Sequence, residues 1–291
     1  MTAGVGPTAE WIAHARAAES VRADRLFEDP LAVAFTARSN PPLLAEFRAA
    51  PTPRFDVLAV RTRFFDQYLT RATEAARLRQ VVLLAAGLDS RAYRLRWPPG
   101  TRVFELDLPE LLEAKAELIQ QAELAAATCE RRTVAADLRL DWPAELRAAG
   151  FDPAAPTAWL VEGLLYYLTQ PQVDAVLAEL GRLSAPGSRL GLEQVNTDTY
   201  QVPWMQDWLA GMRAEGRPWQ SGVAEPEPWL AGHGWAADVV EPGELPSAAG
   251  RRVPRTPARE VPGVARTWLV TAHLLEGGDT TELGAEARQQ R

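Results

Sequence analysis

The chain has 291 residues, 47% hydrophobic and 24% charged, enough to bury a large core in one large domain or two smaller ones. Its formal net charge of −7 argues against a polyanionic partner, since phosphate binding draws on concentrated Lys and Arg, so nucleic acid is not expected. A single cysteine, Cys129, excludes an intramolecular disulfide and a cysteine zinc cluster and fits a reducing cytoplasm.

The first thirty residues mix Glu10, Arg16, Glu19, Arg22, Asp24 and Arg25 with no continuous apolar core, so they do not read as a signal peptide. No later stretch approaches the roughly 18 apolar residues of a membrane span. A cytoplasmic protein with no membrane partner is expected. Residues 8–79 read as helices: a charged, Ala-rich start, a segment at 43–47 after Pro41-Pro42, and a long segment at 57–79 with apolar positions at helical spacing. They are expected to form an N-terminal helical cap.

From Gln80 the pattern changes to short apolar runs alternating with helical stretches. Strands are predicted at 81–85, 102–106, 133–136, 158–161 and 189–193, with helices at about 108–126, 141–149 and 171–184. That alternation predicts an α/β fold with a doubly wound, mostly parallel sheet. Residues 197–230 differ in character, with Tyr200, Trp204, Trp208 and Met212 spaced four apart and Trp219 and Trp229 following among prolines. They read as an aromatic lid inserted over the sheet. Segments 235–240 and 267–273 read as two last strands, an antiparallel pair that would bring the sheet to seven. The polar stretch 276–291 is expected to be a disordered tail. The chain is thus expected to be one domain over 1–275, made of the cap at 8–79, a cofactor-binding core at 80–196, the lid at 197–230 and final strands at 231–275.

Ligands on open parallel sheets sit beyond the carboxyl ends of the strands. Those ends fall at Gly87, Asp107, Asp137, Glu162 and Gln194. A glycine turn followed 20 residues later by an acid at the end of the second strand suits recognition of a ribose by a carboxylate. A dinucleotide would call for further glycines to face its pyrophosphate, and Ala85, Leu88 and Ser90 stand where they would be wanted. S-adenosyl-L-methionine has a ribose but no phosphate, and its sulfonium is positive. Asp107 would accept the ribose hydroxyls, Asp137 would accept from the adenine amino group, Leu138 would cover the base, and Glu162 would face the ammonium or sulfonium. Taken singly, Asp107, Asp137 and Glu162 also read as helix caps or loop-end acids.

Five ordered motifs carry a resemblance. The runs Glu19-Ser20-x4-Arg25-Leu26-Phe27-x-Asp29-Pro30, Arg61-Thr62-Arg63-Phe64-Phe65-Asp66, Ala86-Gly87-Leu88-Asp89-Ser90-Arg91-Ala92-Tyr93-Arg94-Leu95, Phe104-Glu105-Leu106-Asp107-Leu108-Pro109 and Glu162-Gly163-Leu164-Leu165-Tyr166-Tyr167-Leu168 resemble the leucine carboxyl methyltransferase family, which includes many bacterial methyltransferases and polyketide carboxyl methyltransferases. The resemblance covers about residues 15–196. It implies a class I methyltransferase (Rossmann-like) fold and S-adenosyl-L-methionine as cofactor. The contacts it implies are Arg61 to the methionine carboxylate, Gly87 at the turn, Asp107 to ribose, Asp137 and Leu138 to adenine, and Glu162 near the methionyl end. One departure is Ala85, where the family usually has a second glycine.

Methyl transfer from a sulfonium is an in-line displacement, so the protein mainly aligns the reactants and excludes water. A carboxylate, with a pKa of about 4, is already ionised at neutral pH, whereas a phenol near about 10 calls for a positioned base. His14, His233 and His273 are scattered without metal spacing, so no metal is expected and no histidine base is evident. An O-methyltransferase acting on a small apolar or aromatic acceptor, with Tyr166, Tyr167, Tyr200 and Trp204 as its contacts, is the expected function. A protein C-terminal carboxylate is the alternative acceptor. A nicotinamide-dependent oxidoreductase and a non-catalytic cofactor-binding protein are the alternatives of other classes.

Overall fold

The computed structural model describes residues 6–122, 124 and 126–275. These fall into two compact units, one running to Phe151 and including Pro242–Pro254, the other formed by Asp152–Glu241 and the described residues from Arg255 on.

In the first unit four helices precede the first strand: α1 (Pro7–Ser20), α2 (Pro30–Ser39), α3 (Pro41–Ala49) and α4 (Asp56–Glu74). The starts of α2 and α3 are written in the sequence. Asp29 accepts the Ala32 N–H at 3.0 Å and Asn40 accepts the Leu43 N–H at 3.1 Å, and each cap is followed by proline, whose missing N–H costs nothing in the first turn. Next come β1 (Gln80–Leu84), the single turn α5 (Arg91–Arg94), β2 (Arg102–Asp107), α6 (Pro109–Gln121), β3 (Glu130–Ala135) and α7 (Trp142–Ala148). The strand β2 runs parallel to both β1 and β3. Leu88 joins Ala13, Leu31, Phe35, Ala114 and Leu118 in one apolar cluster, so α1, α2 and α6 pack together around the turn that follows β1.

The second unit holds β4 (Thr157–Val161), α8 (Gln170–Arg182), β5 (Arg189–Val195), α9 (Gln206–Ala214), α10 (Pro226–Gly232), β6 (Trp235–Val240) and β7 (Thr267–Leu274). Here β4 and β5 are parallel, and β7 runs antiparallel to both β5 and β6. The strands form a seven-stranded sheet in the order β3-β2-β1-β4-β5-β7-β6, the expected α/β fold with its antiparallel end.

All seven predicted strands are present, and the displaced boundaries have physical causes. β3 begins three residues before the predicted 133: Glu130, Arg131 and Arg132 are polar, none of them fully buried, and hide the strand's start from an apolar pattern at the edge of the sheet. β5 runs on to Val195 because Gln194 and Val195 are buried with the rest of the strand. The helix predicted at about 108–126 is Pro109–Gln121. The predicted aromatic stripe is not one helix. Tyr200 ends a short 3-10 turn, Trp204 lies in a second one opened by Pro203, and only Trp208 and Met212 stand on α9. The buried apolar positions there are Val202, Met205, Leu209 and Met212, so of the four residues in the predicted spacing only Met212 is buried. The tail expected at 276–291 lies outside the described residues.

Candidate functional site

The turn after β1 is built around Asp107. The Gly87 N–H donates to Asp107 Oδ2 at 2.7 Å, and the Leu108 N–H donates to Oδ1 at 2.8 Å. Gly87 stands at φ +51°, in the left-handed region where glycine carries no side-chain penalty. Ala85 is also left-handed, at φ +50°, which costs a residue with a Cβ about 1–2 kcal/mol. The expected departure from the family is therefore a point of backbone strain in the turn. Burial pushes the Asp107 carboxyl above its ordinary pKa, although the two backbone N–H groups and the charge of Lys115 oppose the shift. A carboxylate has about four acceptor sites. With one N–H on each oxygen, both oxygens of Asp107 retain a position for a hydroxyl.

The start of α5 is filled from within. Asp89 Oδ1 accepts the Arg91 N–H at 2.7 Å and its other oxygen meets the Arg91 guanidinium. Desolvation would raise the Asp89 carboxyl, but Arg91, Lys115, Arg94 and Arg16 together hold it down at about 2, so it stays ionised. A helix of four residues with an anion already at its N-terminus has no room for a pyrophosphate. This agrees with the shortage of glycines.

Two further side-chain sets fix the turn, and the sequence reading gave neither a role. Arg91 and Arg94 both bind Asp66 of α4, joining the motif at 61–66 to the motif at 86–95. Arg16 of α1 bonds Asp29 at 2.7 Å and donates to the Leu88 carbonyl at 2.6 Å. All of these residues but Arg16 lie inside the family motifs, so their place was visible while their pairing was not. Lys115 was also missed, and its signal was legible: a lysine between Leu112 and Leu118 on the core-facing stripe of α6.

Of the predicted cofactor residues, Gly87 and Asp107 are brought into direct contact. Arg61 is buried on α4, five residues before Asp66. Asp137 and the half-buried Leu138 follow β3. The Asp137 carboxylate is held by Arg139, whose hydrogen bonds and charge lower its pKa. Arg139 is exposed, so this pair is weak and exchangeable.

In the second unit Glu162 follows β4, and Tyr166 and Tyr167 lie in the 3-10 turn Leu165–Tyr167 just beyond it. Tyr166 is buried, packs on Trp219 with ring centroids 4.3 Å apart, and contacts Tyr167 at 4.9 Å. Glu193 of β5, which the sequence reading did not single out, accepts the Gly163 N–H at 3.0 Å and lies 3.5 Å from the Tyr166 hydroxyl. The Tyr200 hydroxyl donates to the Ser221 carbonyl, which places Tyr200 against the same segment as Trp219. Trp204 is 71% exposed and makes no ring contact among the described residues.

The histidines are placed for other work. His273 of β7 pairs with Arg189 at the start of β5, and His233 precedes β6 and faces Asp174, so both stand at the amino ends of β5 and β6. His14 is buried on α1 and bonds Thr36 at 2.9 Å, and desolvation lowers its pKa. Among the described residues no three His, Cys, Asp or Glu side chains gather as metal ligands, and no helix is long and apolar enough to cross a membrane.

Comparison with known proteins decides the family. The profile described as leucine carboxyl methyltransferase matches residues 9–181. The chain belongs to the leucine carboxyl methyltransferase family. A relative from Streptomyces coelicolor, provisionally named an S-adenosyl-L-methionine-dependent methyltransferase, is 47% identical over 88% of this chain and 92% of its own length. One from Frankia alni, with the same provisional name, is 46% identical over 87% and 91%. Two crystal structures share the fold of this methyltransferase. A provisionally named methyltransferase from Thermobifida fusca matches with TM-score 0.58 and 19% identity over 93% of this chain and 98% of its own. A DUF574 family protein from Streptomyces avermitilis matches with TM-score 0.56 and 17% identity over 89% and 96%.

Proposed function

We propose that this methyltransferase transfers the methyl group of S-adenosyl-L-methionine to an oxygen, the carboxylate of a small apolar or aromatic acceptor. The cofactor follows from the family and from its relatives. The observation that carries the site is the Asp107 carboxylate, anchored on the Gly87 turn by two backbone N–H groups, with one acceptor position left on each oxygen. The cofactor, when bound, supplies an electrophilic methyl group on a sulfonium.

The chain's own residues supply position and charge. Asp107 accepts the ribose hydroxyls. Asp137 turns from Arg139 to the adenine amino group, at small cost because their pair is exposed, and Leu138 covers the base. Arg61 holds the methionine carboxylate and Glu162 its ammonium. Tyr166, Tyr167 and Tyr200, with Trp204 at the exposed end, contact the acceptor. Trp219, stacked on Tyr166, extends that aromatic surface.

A carboxylate acceptor, already anionic, suits this site, because none of the three histidines stands at the carboxyl end of a parallel strand as a base. Burial pushes the Tyr200 phenol up to about 12, which makes it a poor base at neutral pH. The family description favours a protein C-terminal carboxylate as the second reading.

The test is incubation with methyl-labelled S-adenosyl-L-methionine and a cell extract divided into small-molecule and protein fractions. Mild alkali releases labelled methanol from methyl esters and leaves methyl ethers intact. Alkali-labile label among small molecules supports the proposal. Label on protein favours the second reading, and alkali-stable label rules out a carboxylate acceptor.

A further inference from the structure

Lys115 is the sole lysine in the chain and is fully buried. Arginine fills the other basic positions, yet here a compact ammonium stands in the apolar stripe of α6. Its Nζ donates to Glu105 Oε2 at 2.7 Å, with both side chains at 0% exposure. Arg131 of β3 binds the same oxygen, from Nε at 3.0 Å and Nη2 at 2.7 Å, and lies over the Tyr93 ring. Glu105 Oε1 is buried with no hydrogen-bond partner among the described residues. Buried ion pairs of this kind are commonly no more stabilising than an apolar pair of the same shape. Stability alone therefore does not explain this one.

Its position does. Side chains alternate along a strand, so Glu105 and Asp107 share one face of β2, the face covered by α6. Next to Asp107 on this face is Glu105 of β2, paired with Lys115 of α6 and Arg131 of β3, while on the turn Asp89 is held by Arg91 and also responds to the charge of Lys115. Lys115 is the charge that favours an anionic Asp107, Glu105 the one that opposes it, and the lysine has the larger effect.

We propose that Lys115 is a positioning residue of the cofactor site: anchored by Glu105, its buried ammonium keeps the neighbouring Asp107 carboxylate anionic and able to accept two ribose hydroxyls. The inference rests on the reading of Asp107 as the ribose acceptor. It does not require Lys115 to touch the cofactor.

The test reads Asp107 twice, by carboxyl carbon NMR titration of the cofactor-free protein, with Asp107→Asn identifying the resonance, and by calorimetric binding of S-adenosylhomocysteine across pH. Lys115→Met raises the titration midpoint, and Glu105→Gln lowers it. The double variant, which removes both buried charges and so preserves a packed core if either single variant fails to fold, has a midpoint between wild type and Lys115→Met. Affinity follows the same midpoints, falling about tenfold per pH unit below each. A purely structural pair would move both single variants in the same direction or leave Asp107 unmoved, and the double variant would titrate like wild type; any of these overturns the proposal. If the Asp107 titration shifts as stated while affinity ignores it, the ribose reading fails and the control of Asp107 by Lys115 stands.

Discussion

Arg94 grips Asp66 at two points, Nη1 to Oδ2 at 2.6 Å and Nη2 to Oδ1 at 2.7 Å, while Arg91 reaches Oδ1 from its Nε at 2.7 Å. Paired N–H···O bonds of this geometry fix orientation as well as contribute energy. They tie α4, which carries Arg61, to the turn that carries Gly87. Asp66→Ala would leave the buried Arg94 guanidinium without its counter-charge and Arg91 with Asp89 alone, which costs about 3–5 kcal/mol. Thermal or urea unfolding measures this, and a loss of less than about 1 kcal/mol would mean the grip is not structural.

Acid stability should follow Asp89. Burial would raise its carboxyl, but the surrounding arginines and Lys115 bring it to about 2, below its unfolded value of 3.8. A depressed folded pKa contributes stability that is present above the unfolded value and lost as pH falls through the folded one. The loss should therefore fall between about pH 4 and pH 2. Melting curves of Asp89→Asn across this range should have a flatter acid limb than wild type, and parallel limbs would count against the assignment.

Asp107 has the opposite sign. Its folded pKa is raised, so its charge costs stability as pH rises through that value, and the cost persists at neutral pH. Asp107→Asn should therefore melt at neutral pH no lower than wild type. It should bind S-adenosylhomocysteine at least about tenfold more weakly, from the loss of a hydrogen bond to a charged acceptor worth roughly 1.5–3 kcal/mol. Weak binding accompanied by a lower melting temperature would point to a structural role.

The turn itself should respond to Ala85→Gly. Removing the Cβ at φ +50° relieves about 1–2 kcal/mol, and the extra freedom of glycine in the unfolded chain returns about 0.4–1 kcal/mol of that. A net gain of about 0.5 kcal/mol in chemical denaturation is expected. Gly87→Ala should lose stability through backbone strain alone, because an added Cβ would meet nothing closer than the Ala9 Cβ at 3.9 Å. Loss in both variants would contradict this account of the turn.

Much of this was legible in the sequence, for identifiable reasons. The buried strands β1, β4 and β5 read as apolar runs bounded by turns, and their ends fell at Gly87, Glu162 and Gln194. β3 read short because an edge strand tolerates Glu130, Arg131 and Arg132. Spacing by four picked Tyr200, Trp204, Trp208 and Met212, while a 3-10 turn opened by Pro203 breaks that spacing and burial falls on Val202, Met205, Leu209 and, of the four, Met212 alone. Pairings between distant motifs, such as Arg91 and Arg94 with Asp66 or Lys115 with Glu105, were not legible. Each is set by the packing of helices against the turn or the sheet, which local periodicity does not encode.

The central claim is that Asp107, on the Gly87 turn, receives the ribose of S-adenosyl-L-methionine. Calorimetric titration of the wild type and of Asp107→Asn with S-adenosylhomocysteine, with NAD as the comparison ligand, tests it most directly. The account predicts saturable binding to the wild type, its loss in the variant with the fold intact, and no heat with NAD. Unchanged affinity in Asp107→Asn, or NAD binding in place of S-adenosylhomocysteine, would contradict it.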